Sequence, residues 1–385
     1  MSTQPFTLLL VTAVTFVCLP TSALAEIEEV KIGFSAPLTG PQAIYGKDVQ
    51  NGVVLAVEDF NAKQPEIGGK QVKFVLLSEN DKADAHLGMQ IAKKLVDHDI
   101  KGMLGPMNSS VAIPASSIYH QANIPQISAA TAPEYTQQNF NTTFRMLPSD
   151  ARQGAVMGDF AVKKLGLKEI VIIDDCSAYG QGLAKQFEKS ATMAGAKIIR
   201  HEFSFDKASD FKSMLIGLKK LKAQGIFYGG TAIQAIPLVQ QMRELGIKAT
   251  LLGADMLKID SFTKNAGIAA EGTVVSVAGK PLKAMPGGHV FSRRYEKRFN
   301  TSIGSYAPYA YDSGTAMLTA MTKANSTDPQ KYLSYLAAIQ IPAVTRKKLS
   351  YNNRGDLVDR NTTIYKVVNG QWQLLAVINS ANIVD

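Results

Sequence analysis

The chain has 385 residues, with 41 basic and 32 acidic side chains and a formal charge of +9, a length that fits more than one domain and a core large enough to stand without disulfides. Its two cysteines, Cys18 and Cys176, and its five separated histidines form neither a disulfide framework nor a metal-ligand spacing. The basic residues, as at Lys163-Lys164, Lys219-Lys220-Leu221-Lys222 and Arg346-Lys347-Lys348, are scattered without aromatic interleaving, which argues against nucleic-acid or membrane partners and for a solvated surface.

Phe6 to Leu19 are almost wholly apolar or small, and Ser22-Ala-Leu-Ala25 ends in a small-x-small pattern; together they read as a signal peptide over residues 1–25, cleaved after Ala25. No later stretch reaches the length of a transmembrane helix, so the mature chain is expected to be exported and soluble. Val30 to Phe34 then predicts a strand, Gly46 to Asn61 a helix with Val49, Val53, Ala56, Val57 and Phe60 on one face, and Val72 to Leu77 a second strand.

Two further apolar runs, Ile100 to Leu104 and Ile124 to Ile127, lead into Gly105-Pro-Met-Asn-Ser-Ser110 and Ser128-Ala-Ala-Thr-Ala-Pro-Glu134. Each places hydroxyls and backbone N–H groups where a strand gives way to a helix, a corner that suits an anion such as a small carboxylate. Helix capping accounts for the same residues: Thr131 and Glu134, with Pro133 in the first turn, form a capping-box pattern, and Ser109 or Ser110 fits an N-cap. On the residues alone both readings stand.

Further strands are predicted at Ile170 to Ile173, Lys197 to Phe203, Gly225 to Tyr228, Thr250 to Leu252 and Thr273 to Val277, with helices between them. The alternation implies parallel sheets with helices on both faces. Tyr45-Gly46 and Tyr179-Gly180 each follow a strand and open a helix, a weak internal echo that suggests two similar α/β lobes, each offering a tyrosine to a shared cleft. After Ile341 the pattern changes, and Ile364 to Val368, Asn369-Gly370 and Trp372 to Val377 read as a β-hairpin forming a finishing sheet.

Phosphate-binding, zinc-protease, serine-hydrolase and dithiol motifs do not occur, and Gly180-Gln-Gly182 lacks the third glycine of a dinucleotide fingerprint. Asp174-Asp175 reads as a polar strand terminus. No nucleophile, base and orienting group assemble, so the expectation is a binding protein without cofactor or metal rather than an enzyme.

The ordered set Lys31-Ile-Gly-Phe34, Thr39-Gly-Pro41, Tyr45-Gly46, Gly105 to Ser116, Ala129 to Glu134, Tyr179 to Ala184, Tyr228-Gly-Gly230 and Gly253-Ala-Asp255 resembles the periplasmic binding proteins of branched-chain amino acid ABC transporters, the leucine/isoleucine/valine-binding family. The resemblance covers essentially the whole mature chain. It implies an α/β fold of two doubly wound parallel-sheet lobes joined by a multi-strand hinge, with residues 26–147 plus 279–350 in one lobe and 148–278 plus 351–385 in the other. It also implies a periplasmic monomer that closes on an amino acid or related carboxylate and delivers it to an ABC permease.

By the same resemblance, Ser109 and Thr131 hold the ligand carboxylate, while Ala129, Thr131 and Asp255 hold the ammonium group. Tyr45, Tyr179, Thr231 and Tyr306 fall at the side-chain pocket. The chain departs from the family pattern at Thr231, where an aromatic is frequent, at Asp255, where Glu is usual, and at Ala83 and Asn108, which replace the family's disulfide. Aromatic acids or amides as ligands, and a role as a ligand-presenting sensor, remain as alternatives.

Overall fold

The structure, a computed structural model, describes residues 1, 27–205, 207–358 and 361–379; the expected signal peptide, Cys18 included, lies outside them. The first sheet contains β1 (Glu28–Ala36), β2 (Glu66–Ile67), β3 (Lys70–Asn80), β4 (Met103–Leu104), β5 (Gln126–Ser128) and β6 (Thr143–Arg145), in the order β2-β3-β1-β4-β5-β6. Its pairings are parallel except for the β2–β3 hairpin. The second sheet contains β7 (Glu169–Asp174), β8 (Lys197–Phe203), β9 (Gly225–Gly229), β10 (Thr250–Gly253), β11 (Val274–Ala278), β12 (Thr362–Val368) and β13 (Gln371–Ile378), in the order β13-β12-β11-β10-β9-β7-β8.

The crossover segments carry α1 (Ala43–Asn61), α2 (Ala85–Asp97), α3 (Ser109–Gln121), α4 (Asp150–Lys163), α5 (Ala178–Met193), α6 (Lys212–Lys219), α7 (Ala232–Glu244) and α8 (Asp260–Ala266). After β11 the chain returns to the first sheet through α9 (Gly288–Phe299), α10 (Ala307–Ala324) and α11 (Pro329–Ala337). There the Tyr332 hydroxyl donates to the Lys101 carbonyl just before β4.

Burial on both faces explains why the strands read as near-continuous apolar runs. Along β7, Ile170 and Ile172 enter one hydrophobic cluster while Val171 and Ile173 enter another, the period-two alternation of a strand sandwiched between helices. The first of these clusters continues into the first sheet through Ile32, Phe34 and Phe74.

Two local expectations are corrected, and two strands are added. The C-terminal hairpin is no separate sheet: β12 pairs antiparallel with β11, so the hairpin extends the edge of the second sheet. Its turn does form at Asn369-Gly370, both at positive φ, as a two-residue hairpin turn requires. Strands β2 and β6, too short to stand out as apolar runs, join the first sheet. The Thr131–Glu134 capping box does not form, because Pro133–Thr136 is a single 3-10 turn whose N-cap residue is Ala132, without a side-chain cap.

Candidate ligand cleft

The carboxyl ends of β4 and β5 in one sheet face those of β7, β9 and β10 in the other, where open α/β sheets collect ligands. Between them lies a cavity of about 320 Å³ lined by Ser109, Ala129, Thr131, Tyr179, Thr231, Asp255 and Tyr306 among others. Larger cavities, of about 390, 460, 680 and 870 Å³, are lined by neither Ser109 nor Thr131, so chemistry rather than size singles out this one.

On the first-sheet side the corner is built by a hydroxyl. Ser109, the first residue of α3, is 2% exposed, and its Oγ accepts from the Thr131 and Ala132 N–H groups, each at 3.3 Å. Ser109 therefore does not cap its own helix; it ties the two strand-to-helix corners together. With its oxygen engaged by two amides, the hydroxyl proton is the part left to donate, which is what an anion accepts. The Thr131 carbonyl accepts from the Asp150 N–H at 2.8 Å, fixing the main chain on which the Thr131 hydroxyl stands.

Arg145, at the end of β6 and fully buried, holds this loop from behind. Its guanidinium donates to the Ala130 and Ala132 carbonyls at 2.6 and 3.0 Å, to the Thr136 hydroxyl at 2.7 Å, and to Asp356 at 2.7 Å. A planar fork with several fixed donors suits such a multi-point anchor.

On the opposite wall stands Asp255, 3% exposed and in a 3-10 turn just after β10. Its Oδ1 accepts from Gln153 Nε2 at 2.6 Å and from the Tyr179 hydroxyl at 3.0 Å; its Oδ2 accepts from the Tyr306 hydroxyl at 2.7 Å. Burial first, and then the Asp255 charge, push both phenols well above their usual pKa, so both remain donors. Three charge-assisted hydrogen bonds keep this carboxylate in place with lone pairs still available.

Of the eight residues expected at the site, seven line the cavity and Tyr45 does not. Tyr45 stands behind Tyr306, the two rings edge to face at 6.2 Å, and its hydroxyl donates across to the Met256 carbonyl at 2.6 Å. It borders the 680 Å³ cavity instead. Thr231, the N-cap residue of α7, donates its hydroxyl to Gln234 Oε1 at 2.5 Å. Ala83 and Asn108 both line the cavity.

Sequence reading missed Asp150 and Gln153, one helical turn apart on α4 and both 0% exposed. Neither Asp150 oxygen has a hydrogen-bond partner. Burial, followed by the Asp255 charge, drives its pKa well up against the opposing pull of the nearby Thr131 hydroxyl and Arg145, which favours its protonated form. The signal was present: an acid in the first turn of a helix with a glutamine three residues on, at the point where the chain passes between sheets. Asp48 was missed as well. This buried α1 residue accepts from the N–H groups of Gly304, Tyr306 and Ala307 and from the Tyr295 hydroxyl at 2.8 to 3.0 Å, and so positions Tyr306.

The Asp174 and Asp175 carboxylates are taken up by the strand terminus itself. Asp174 accepts from the Cys176 N–H and pairs with His201, while Asp175 Oδ1 accepts from the Ser177 N–H and hydroxyl. Among the described residues no group of His, Cys, Asp and Glu is arranged to hold a metal ion, and no helix is long and apolar enough to cross a membrane.

Two facing sheets with a polar cavity between their carboxyl ends, hydroxyl donors on one wall and a fixed carboxylate on the other, define a protein that binds a small solute rather than transforms it. The chain belongs to the periplasmic binding protein family, whose sequence model matches residues 29–371. It is 31% identical over 352 residues to an amino acid binding protein of Pseudomonas aeruginosa, covering 90% of this chain and 92% of that one. It is 29% identical over 330 residues to Leu/Ile/Val-binding protein homolog 1 of Brucella suis, covering 85% and 87%. The structure of leucine-binding protein LivK from Thermotoga maritima shares the fold with a TM-score of 0.84 at 24% identity, over 92% of this chain and all of that one. The expected two-lobed periplasmic-binding fold and the solute-binding role are those of this family.

Proposed function

We propose that the protein captures an amino acid between two lobes in the periplasm and presents it to an ABC permease. The observation that carries this reading is one cavity lined by Ser109, Thr131 and Asp255, a combination of hydroxyl donors and a carboxylate that suits a zwitterion. Ser109 and Thr131 hold the carboxylate; the Ala129 carbonyl, Thr131 and Asp255 hold the ammonium group; Tyr179, Thr231 and Tyr306 surround the side chain. The names of the Pseudomonas and Brucella relatives support the ligand class.

In this reading the first lobe spans residues 26–147 and 279–350 and the second 148–278 and 351–385. Ligand contacts made to both at once favour the closed arrangement over the open one. The test is calorimetry on the mature chain with amino acids and their deaminated analogues. Binding of the amino acids alone supports the reading, and equal affinity for carboxylates lacking the amine removes the role of Asp255. Tight binding of aromatic acids under the same conditions would instead favour the tyrosine-lined cleft as an aromatic-acid site.

A further inference from the structure

We infer that the ligand's distal group is a hydrogen-bond donor without negative charge, an amide or a protonated amine, rather than an aliphatic branch. This rests on the amino-acid reading above and concerns the chemical nature of the side chain, which that reading leaves open.

The cavity lining is furnished with acceptors. The Thr231 hydroxyl spends its proton on Gln234 Oε1, so only its lone pairs can serve a ligand. Asn108 donates its amide N–H to Gln42 Oε1 at 2.7 Å, and its own Oδ1 is buried without a partner. A buried carbonyl oxygen left unpaired is costly, and a donor from the ligand would relieve it. Asp84 and Asp175 add carboxylates to the same lining. Asp84, exposed to solvent, uses Oδ1 to cap α2 at the Leu87 N–H, an arrangement that, with the His86 and Lys207 charges nearby, holds its pKa down and keeps it ionised.

Charge points the same way. Although the chain carries a formal charge of +9, no lysine, arginine or histidine among the described residues lines this cavity, whereas Asp84, Asp175 and Asp255 do. Asp255 suffices for an α-ammonium group. The two acids that remain repel an anionic side chain and attract a cationic one, and a leucine or valine side chain placed among these acceptors would strip them of water without replacing its hydrogen bonds.

Calorimetry on the mature chain with pairs of similar shape tests this directly: asparagine against leucine, glutamine against methionine, lysine against norleucine, with aspartate and glutamate alongside. The tightest-binding polar member is expected to exceed its apolar partner by about tenfold or more, the worth of one or two hydrogen bonds, and the acidic amino acids are expected to bind more weakly than either. Asn108→Leu should erase most of that preference, and Asn108→Asp should raise lysine affinity without helping leucine; a thermal melt of each variant checks that it is folded. Equal or tighter binding of leucine, isoleucine, valine, aspartate or glutamate overturns the inference and leaves the amino-acid reading intact. Absence of binding by every amino acid overturns both.

Discussion

Asp255 is held by three donors drawn from three different elements: Gln153 on α4, Tyr179 on α5 and Tyr306 at the start of α10. Losing the carboxyl removes the anion that Gln153, Tyr179 and Tyr306 hold in place for the ammonium group. Asp255→Ala is therefore expected to weaken amino-acid binding by about 3 kcal/mol, on the order of a hundredfold; unchanged calorimetric affinity would refute the ammonium role. The neighbouring Asp150 shows why sequence alone undervalued this wall. An acid in a helix's first turn is ordinarily an exposed partner for the helix dipole, and only the fold reveals that Asp150 is wholly buried beside a second carboxylate.

Between elements, the clasp of Asp48 on the chain entering α10 is what aims Tyr306. Asp48→Ala is expected to lower stability in urea by about 3 kcal/mol, since it leaves backbone donors and a tyrosine hydroxyl unpaired, and to weaken ligand binding through a displaced Tyr306. Stability unchanged in urea would contradict this. A second acid sits where β3 leads towards α2. Burial, opposed by the Ala83 N–H and the Ser35 hydroxyl and reinforced by Asp84, raises the Asp81 pKa to about 6.

Because the folded state holds that proton more tightly than the unfolded chain does, this group contributes stability below about pH 4 that is lost as pH rises towards 6. Asp81→Asn is expected to flatten the decline and to raise neutral-pH stability by about 2 kcal/mol. Denaturation curves at pH 4 and pH 7 that shift equally for both proteins would rule it out.

The elements themselves were mostly legible. β7 and β9 are apolar on both faces, and Tyr45-Gly46 and Tyr179-Gly180 announced two helix starts of one design. The structure supplies the physical cause of that echo: a Cβ at Gly46 would overlap the Pro37 carbonyl, and one at Gly180 would overlap Asp175 and the Gly229 carbonyl, so each helix enters against a strand-end loop. The echo did not extend to function, since Tyr179 reaches the cavity and Tyr45 stops behind Tyr306. Nor could spacing show that Ser109 bonds Thr131 and Ala132, because that contact joins segments more than twenty residues apart.

Across the whole molecule, the two sheet-based units are bridged by the Tyr45 hydroxyl on the Met256 carbonyl, the Tyr306 hydroxyl on Asp255, and the Ala178 N–H on the Ser110 hydroxyl at 3.1 Å. Burial, ahead of the Asp255 charge, raises the Tyr45 pKa, so it stays a donor at any working pH. Tyr45→Phe is expected to favour the open arrangement and reduce ligand affinity by about 1 kcal/mol, with small-angle scattering of the liganded protein showing a larger radius at subsaturating ligand. Identical affinity and radius would assign Tyr45 to packing alone.

The Tyr45 bridge ends on a main-chain oxygen, and this separates two properties that would otherwise be coupled. Every residue type carries that carbonyl, so exchanging the thioether at 256 reshapes the chamber wall while the fastening across the gap persists. Taste and grip can thus be retuned independently: a library confined to this position should change which solutes are retained without loosening the jaws that retain them.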